Sequence, residues 1–154
     1  MIEIETWTSP DRVDSLVPLY EAWKEDQRGG IFGISMQMDS YINDIKKCLE
    51  SMESCIIVAL DENEPVGLIM MITIKSEFSD DQVWGVEKGW YVKPRYRSVG
   101  GLLIQKAKFW CIDKKCSHMV MSASNLASDM YEKVCRFYTR MGMALFETSF
   151  IMEI

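Results

Sequence analysis

The feature that most constrains this chain is an apolar strand that stops at a proline and is followed by a glycine turn. Residues 90–104 read Trp-Tyr-Val-Lys-Pro-Arg-Tyr-Arg-Ser-Val-Gly-Gly-Leu-Leu-Ile. Pro94 ends the strand because it has no N–H to donate to a β-ladder. The apolar run after the glycines predicts a helix, and the free N–H groups and dipole at a helix start favour an anion. With basic residues beside it, the stretch predicts a phosphate or diphosphate site.

The glycine spacing excludes two common phosphate loops. No Gly-Lys-Ser/Thr follows the turn, as a Walker loop requires, and no G-x-G-x-x-G is present. The stretch instead resembles the coenzyme A loop of the GNAT N-acetyltransferases, in which a strand ending V-x-P-x-Y-R precedes R-x-x-G-x-G/A at a helix start. Residues 92–97 match the first half of that pattern, and residues 97–100 match the beginning of the second half.

Leu102 departs from the family pattern, which has a small residue at that position, and Gly101 comes one place early. Shifting the alignment to put Gly100 at the last small position loses the spacing between proline and arginine. Either the turn is rebuilt by one residue or diphosphate binding is weakened. We favour a rebuilt turn because Gly101 can adopt a positive φ. A plain strand-to-helix turn is the alternative without a ligand.

Composition limits the class of protein. A chain of 154 residues with 48% apolar residues predicts one domain, residues 1–154, with a proper core. No apolar run has the length of a membrane span, no signal peptide opens the chain, and an odd number of cysteines favours reduced thiols, so we expect a cytoplasmic protein. The net charge of −6 makes nucleic acid a poor partner and favours a cationic substrate. Cys111, Cys116 and His118 fit no zinc pattern, so no metal is expected.

Periodicity predicts an α/β fold. Strands are expected at about 2–8, 55–60, 66–74, 83–92, 118–123, 144–147 and 150–154, and helices from about Pro10, from an N-cap at Asp39, at 102–112 and at 128–141. Pro18 implies that the first helix is kinked or begins a turn later. The apolar run from Val66 predicts a strand covered on both faces.

The resulting order, β-α-α-β-β-β-α-β-α-β-β, is also the order of the GNAT fold, a central mixed sheet flanked by helices. Residues 137–143, Phe-Tyr-Thr-Arg-Met-Gly-Met, resemble the family's F-Y-x-x-x-G-F segment with Met143 in place of the aromatic residue. The resemblance therefore covers the whole chain, and it implies an acetyl-CoA-dependent transferase acting on an amine.

Acyl transfer to an amine needs a base, because an amine is protonated at neutral pH. The family places a carboxylate on the fourth strand, and Glu87 is the acid within that strand. Its alternative is an ordinary solvated strand charge. Strict alternation would put Glu87 on one face with Gly85, Gly89 and Tyr91, and Gly89 could mark a bulge that splays two strands apart.

The resemblance assigns the remaining site residues. Tyr138 occupies the position of the family's general acid, although a core tyrosine is the alternative. The residues expected to bind acetyl-CoA are Tyr91, Val92, Arg97, Ser98, Val99, Gly100, Gly101, Leu102 and Asn125. Val92 is the expected oxyanion donor through its backbone.

The expected acceptor is a primary amine of a small molecule or a protein, attacked directly in a ternary complex. The family frames the acceptor between the first two helices and near the last strands, here about 27–37 and 147–150. The apolar residues of the first segment and the acidic residues 77–81 favour an amine with hydrophobic bulk. A catalytically weak or inactive binding or inhibitory module with the same fold stays open, as does a homodimer.

Overall fold

The computed structural model describes residues 1–27, 37–124 and 130–152. Within these ranges the strands are β1 (Ile2–Trp7), β2 (Ser54–Asp61), β3 (Glu64–Lys75), β4 (Val83–Val92) and β5 (His118–Val120), and the α-helices are α1 (Val17–Asp26), α2 (Met38–Leu49), α3 (Gly100–Asp113) and α4 (Tyr131–Arg140). Two 3-10 helices, Pro10–Leu16 and Pro94–Val99, lead directly into α1 and α3. None of the helices in these ranges combines the length and the apolar character of a bilayer-spanning segment.

The strands form one mixed sheet in chain order, from β1 to β5. Neighbours are antiparallel except for β4 and β5, which are parallel. The predicted mixed α/β fold is therefore confirmed.

Each face of the sheet is covered by its own apolar cluster. Leu68 and Met70 of β3 pack with α1 and α2, whereas Ile69 and Met71 pack with α3. All four side chains are buried, with at most 3% exposed. The prediction that this strand is covered on both faces is confirmed.

Two helix starts differ in detail from the sequence prediction. Pro18 does not kink α1, because the α-helix begins at Val17 and places the proline in its first turn, where a missing N–H costs no intrahelical bond. This is the second of the two predicted alternatives. The predicted N-cap at Asp39 is wrong, since α2 begins at Met38 with Gln37 as its N-cap. Asp39 lies in the first turn, where its charge faces the positive end of the helix dipole.

The two predicted C-terminal strands are absent from the described residues. Residues 143–152 form no strand, and Leu145 and Phe150 are 82% and 94% exposed. Met143 is held by a hydrogen bond to the Tyr138 carbonyl, and Phe146 contacts Trp84 at 5.6 Å between ring centres. A strand needs a neighbouring edge to pair with, and β5 offers only three residues. The apolar pattern of the tail is therefore no sufficient signal for a strand.

β4 contains the bulge that the glycine predicted. Met70 pairs with Gly89 and Met71 pairs with Glu87, so Lys88 is an extra residue without a partner on β3. A Cβ on Gly89 would lie 2.6 Å from the Tyr41 hydroxyl oxygen, so the close approach of α2 requires glycine here.

The bulge also changes which face each side chain occupies. Glu87 lies opposite Met71, which packs with α3, whereas Gly89 lies opposite Met70, which packs with α1 and α2. The predicted face shared by Glu87, Gly89 and Tyr91 is therefore wrong, because the inserted residue breaks the alternation.

Candidate active site

The last two strands separate halfway along β4 and leave a cleft. β5 pairs with β4 only from Trp84 to Val86, and it ends at Val120. Among the described residues, the edge of β4 from Glu87 onward has no neighbouring strand on that side, and residues 121–124 run past it without pairing. A strand edge without a neighbour presents N–H and C=O groups to whatever enters the cleft.

A cavity of about 380 Å³ fills this separation. One wall comes from α1, a second from β4, a third from residues 122–124 and α4, and the far end from the start of α3. The lining residues are Trp23, Asp26, Gln27, Glu87, Lys88, Gly89, Trp90, Tyr91, Val92, Arg97, Gly100, Ser122, Ala123, Ser124, Met130, Lys133, Val134 and Phe137. The cavity thus joins the predicted anion-binding turn to the predicted catalytic carboxylate.

Glu87 is held at the point where the two strands part. Its carboxylate accepts a hydrogen bond of 3.0 Å from the backbone N–H of Ser122. Burial raises the pKa of Glu87 to about 7, although the Ser122 N–H and the Lys88 charge lower it. A carboxyl group with this pKa exchanges a proton near neutral pH, as a general base must.

Tyr138 is linked to Glu87 through the backbone of a single residue, Ser122. Its hydroxyl donates to the carbonyl oxygen of Ser122 at 3.0 Å, on the residue whose N–H binds Glu87. The ring lies 5.6 Å from that of Trp90, between ring centres, and is 7% exposed. Burial and the nearby Glu87 raise the pKa of Tyr138 above its usual 10, which keeps the hydroxyl protonated.

The turn before α3 is a 3-10 helix, so some of its amides are already bonded. The Gly100 N–H donates to the carbonyl of Arg97. Gly101 and Leu102 occupy the second and third positions of α3, where helix geometry provides no intrahelical acceptor for the N–H. We therefore consider these two amides, rather than that of Gly100, the candidate donors to an anion.

The prediction of a rebuilt turn with a positive φ at Gly101 is wrong. Among the described glycines only Gly142 has a positive φ, and Gly101 is helical. Leu102 is 51% exposed and points away from the core, so its bulk does not disturb the turn. The departure at Leu102 is accommodated by an ordinary helix start.

The other residues predicted to bind acetyl-CoA differ in whether their side chains are exposed or buried. Arg97 and Ser98 are exposed, whereas the side chain of Val99 is buried among the residues that pack on α3. Val92 is also buried on that face. Tyr91 lies on the opposite face, where its hydroxyl donates to Asp26 at 2.6 Å.

The sequence itself decides the family. The model of the acetyltransferase (GNAT) family matches residues 7–143 of the 154-residue chain. The chain belongs to the GNAT acetyltransferase family. It is accordingly an acyltransferase. A search of curated proteins gives no significant match.

Several solved structures, two of them N-acetyltransferases, share the fold. The aminoglycoside N-acetyltransferase AAC(6')-Iy in complex with CoA has a TM-score of 0.75 and 14% identity, over 100% of this chain and 95% of that chain. A ribosomal-protein-alanine N-acetyltransferase from Brucella melitensis biovar Abortus 2308 gives 0.70 and 14%, over 100% of both chains. A transcriptional regulator from Bacillus halodurans C-125 gives 0.76 and 15%, also over 100% of both. At these identities the similarity concerns the fold alone.

Several residues of the GNAT cleft had no signal in the sequence. Ser122 acts through its backbone, which no residue type reveals, and Trp23 and Asp26 are more than 50 residues from β4 in the sequence. The acidic pair at the end of the first helix, Glu25-Asp26, was the sequence feature that could have indicated Asp26. Asn125 and most of the predicted acceptor segment, residues 28–36, lie outside the described residues.

Proposed function

We propose that this enzyme transfers an acetyl group from acetyl-CoA to a primary amine by direct attack in a ternary complex. The observation that supports this most strongly is the position of Glu87, with its pKa of about 7, in a cavity that extends to the start of α3. A coenzyme bound at that helix start could extend its thioester along the free edge of β4 toward the carboxylate.

Glu87 is the proposed base. A model amine has a pKa of about 10.4, so a carboxylate of pKa near 7 removes the proton as attack proceeds, directly or through one water. The amine nitrogen then bonds to the thioester carbon, and the carbonyl electrons move to its oxygen. The family resemblance assigns the stabilisation of that oxyanion to the backbone N–H of Val92.

Tyr138 is the proposed proton donor for the departing thiolate. As the tetrahedral intermediate collapses, the C–S bond breaks and the sulfur takes the electron pair. The Tyr138 hydroxyl, kept protonated by burial, gives its proton to the sulfur after leaving the Ser122 carbonyl. The backbone N–H and C=O of Ser122 therefore connect the proposed base with the proposed acid.

The diphosphate of acetyl-CoA is assigned to the start of α3. The N–H groups of Gly101 and Leu102 and the exposed guanidinium of Arg97 are the proposed donors, aided by the helix dipole. Ser98 and Gly100 border the same turn. Val99 contributes through its backbone only, because its side chain is buried.

The test is the release of free coenzyme A thiol from acetyl-CoA with a panel of primary amines. We expect Glu87→Gln to lower kcat by at least about 100-fold, since general-base catalysis contributes roughly that much. Glu3→Gln, an exposed carboxylate on β1 at the opposite edge of the sheet, is the matched control. Equal activity of Glu87→Gln and the wild type would refute the role of Glu87.

A further inference from the structure

The α1 side of the cavity has a distinctive chemical composition. Trp23 and Tyr91 stack with 5.9 Å between ring centres and an interplanar angle of 10°. Asp26, the last residue of α1, accepts the Tyr91 hydroxyl hydrogen bond beside them. An aromatic wall ending in an oriented carboxylate suits an apolar chain that carries a positive charge at its end.

The charge of Asp26 is not neutralised within the described part of the chain. Asp26 belongs to none of the ion pairs there, and its one hydrogen bond comes from a neutral hydroxyl. Burial and the Asp26 charge raise the pKa of Tyr91, so the hydroxyl remains a donor. The C-terminal end of the α1 dipole lies at the same place and also favours a cation.

The cations around the cavity are distributed unevenly. Arg97 lies on the turn before α3, at the end assigned to the coenzyme, Lys133 lies on the α4 wall, and Lys88 is the exposed bulge residue. Lys93 and Arg95 border a shallower hollow on the far side of Asp26 without pairing with it. Arg97 acts on Tyr91 electrostatically, and a diphosphate bound to Arg97 would neutralise that cation, which leaves Lys93 and Arg95 as the cations bordering the same hollow as Asp26.

We propose, on the basis of the proposed acetyl transfer, that Asp26 binds a second cationic group of the acceptor. The acceptor class is then a diamine or polyamine whose apolar spacer packs on Trp23 and Tyr91 while its other nitrogen reaches Glu87. Tyr91 is four residues from Glu87 along β4, so the two nitrogens lie on the order of 10 Å apart, given about 3.3 Å per strand residue and a bulge between them. Tyr91 is the positioning residue for the Asp26 carboxylate.

The experiment compares 1,8-diaminooctane with 1-aminooctane, which has the same apolar chain but lacks the second cation. We expect kcat/KM, counted per amino group because the diamine has two, to favour the diamine by about fivefold in the wild type, the size expected of an exposed ion pair, and to lose this preference in added salt. Asp26→Asn should bring the ratio to about one, and the monoamine is the reference for any general effect of the substitution on the rate. Tyr91→Phe should give an intermediate ratio.

Glu25→Gln is the matched control, because Glu25 precedes Asp26 on α1 and borders only the shallower hollow. It should keep the wild-type ratio. An unchanged ratio in Asp26→Asn, or an equal loss in Glu25→Gln, would overturn the assignment of Asp26.

Calorimetry with 1,8-diaminooctane and coenzyme A separates this proposal from the proposed function. If no amine is acetylated but the diamine binds the wild type more tightly than Asp26→Asn, the reaction is wrong and the Asp26 site stands. If amines are acetylated without any diamine preference, the Asp26 site is wrong and the reaction stands.

Discussion

The ionised form of Glu87 destabilises the folded protein, and the effect on the free energy of unfolding can be measured. Burial raises its pKa from 4.5 to about 7, so between these values the folded state holds a proton that the unfolded chain releases. The free energy of unfolding therefore falls as pH rises through that range. We expect Glu87→Gln to match the wild type near pH 4 and to exceed it by about 1 to 2 kcal/mol near pH 8, allowing for partial exposure. Urea denaturation at both pH values measures this difference, and equal gains at the two values would contradict it.

Tyr138 has two possible contributions, which kinetics can separate. As a proton donor it should affect turnover alone, so Tyr138→Phe should lower kcat by about 100-fold and leave the affinity for acetyl-CoA unchanged. As an anchor for the Ser122 peptide it should instead alter the environment of Glu87. The pH dependence of kcat/KM distinguishes the two, because only the second shifts the ionisation near pH 7. An equal loss of turnover and affinity would remove the acid role.

The sequence predicted some residues of the site and not others, because some of them act through the backbone or are brought to the site only by tertiary packing. Glu87 could be selected because it was the acid within one strand. The hydrogen bonds that define its environment come from a backbone N–H on another segment, and backbone groups carry no residue-type signal. Asp26 is brought to the cavity by the packing of α1 on the sheet, which depends on tertiary contacts rather than local pattern.

At the scale of an element, the glycine pair at the start of α3 has two separable functions. A Cβ at Gly100 would lie 3.1 Å from the Trp90 ring, whereas a Cβ at Gly101 would meet no atom within 4 Å. We expect Gly101→Ala to stabilise the protein by up to about 1 kcal/mol, as alanine does in a helix, and Gly100→Ala not to do so.

The same pair of variants tests the coenzyme site. The methyl group of Gly101→Ala would occupy the space assigned to the diphosphate, so we expect weaker binding of acetyl-CoA despite the higher stability. Calorimetry measures the affinity, and thermal denaturation measures the stability. A more stable Gly101→Ala variant with wild-type affinity would count against the diphosphate assignment.

Strand and helix boundaries were predicted best where a proline fixes the backbone. β4 has the predicted bounds, because Pro94 ends it. The face of Glu87 was predicted wrongly because the bulge at Lys88 inserts a residue whose effect depends on pairing with β3. Gly89 indicated that a bulge was present, but the register that locates it is a property of two strands.

At the scale of the whole molecule, the order of elements from β1 to α4 followed from hydrophobic periodicity, because each element buries an apolar face on the sheet. The last segment did not follow, since its apolar residues find little to pack against. Leu145, Phe150 and Met152 are each at least 80% exposed. The pattern of a strand was present, but the partner edge was missing.

Within residues 143–152, Phe146 packs on other rings and Phe150 does not, and this difference gives a prediction for the stability of the whole molecule. Phe146 contacts the rings of Phe78 and Trp84, at 6.2 and 5.6 Å between ring centres, whereas Phe150 is 94% exposed. Removing an aromatic pair costs about 1 kcal/mol, so Phe146→Ala should lower the free energy of unfolding by roughly that amount, and Phe150→Ala should change it by less than about 0.5 kcal/mol. Urea denaturation at low protein concentration measures both. A larger loss in Phe150→Ala than in Phe146→Ala would mean that Phe150 is buried in solution, and a loss that grew with protein concentration would place it against a second copy of the chain.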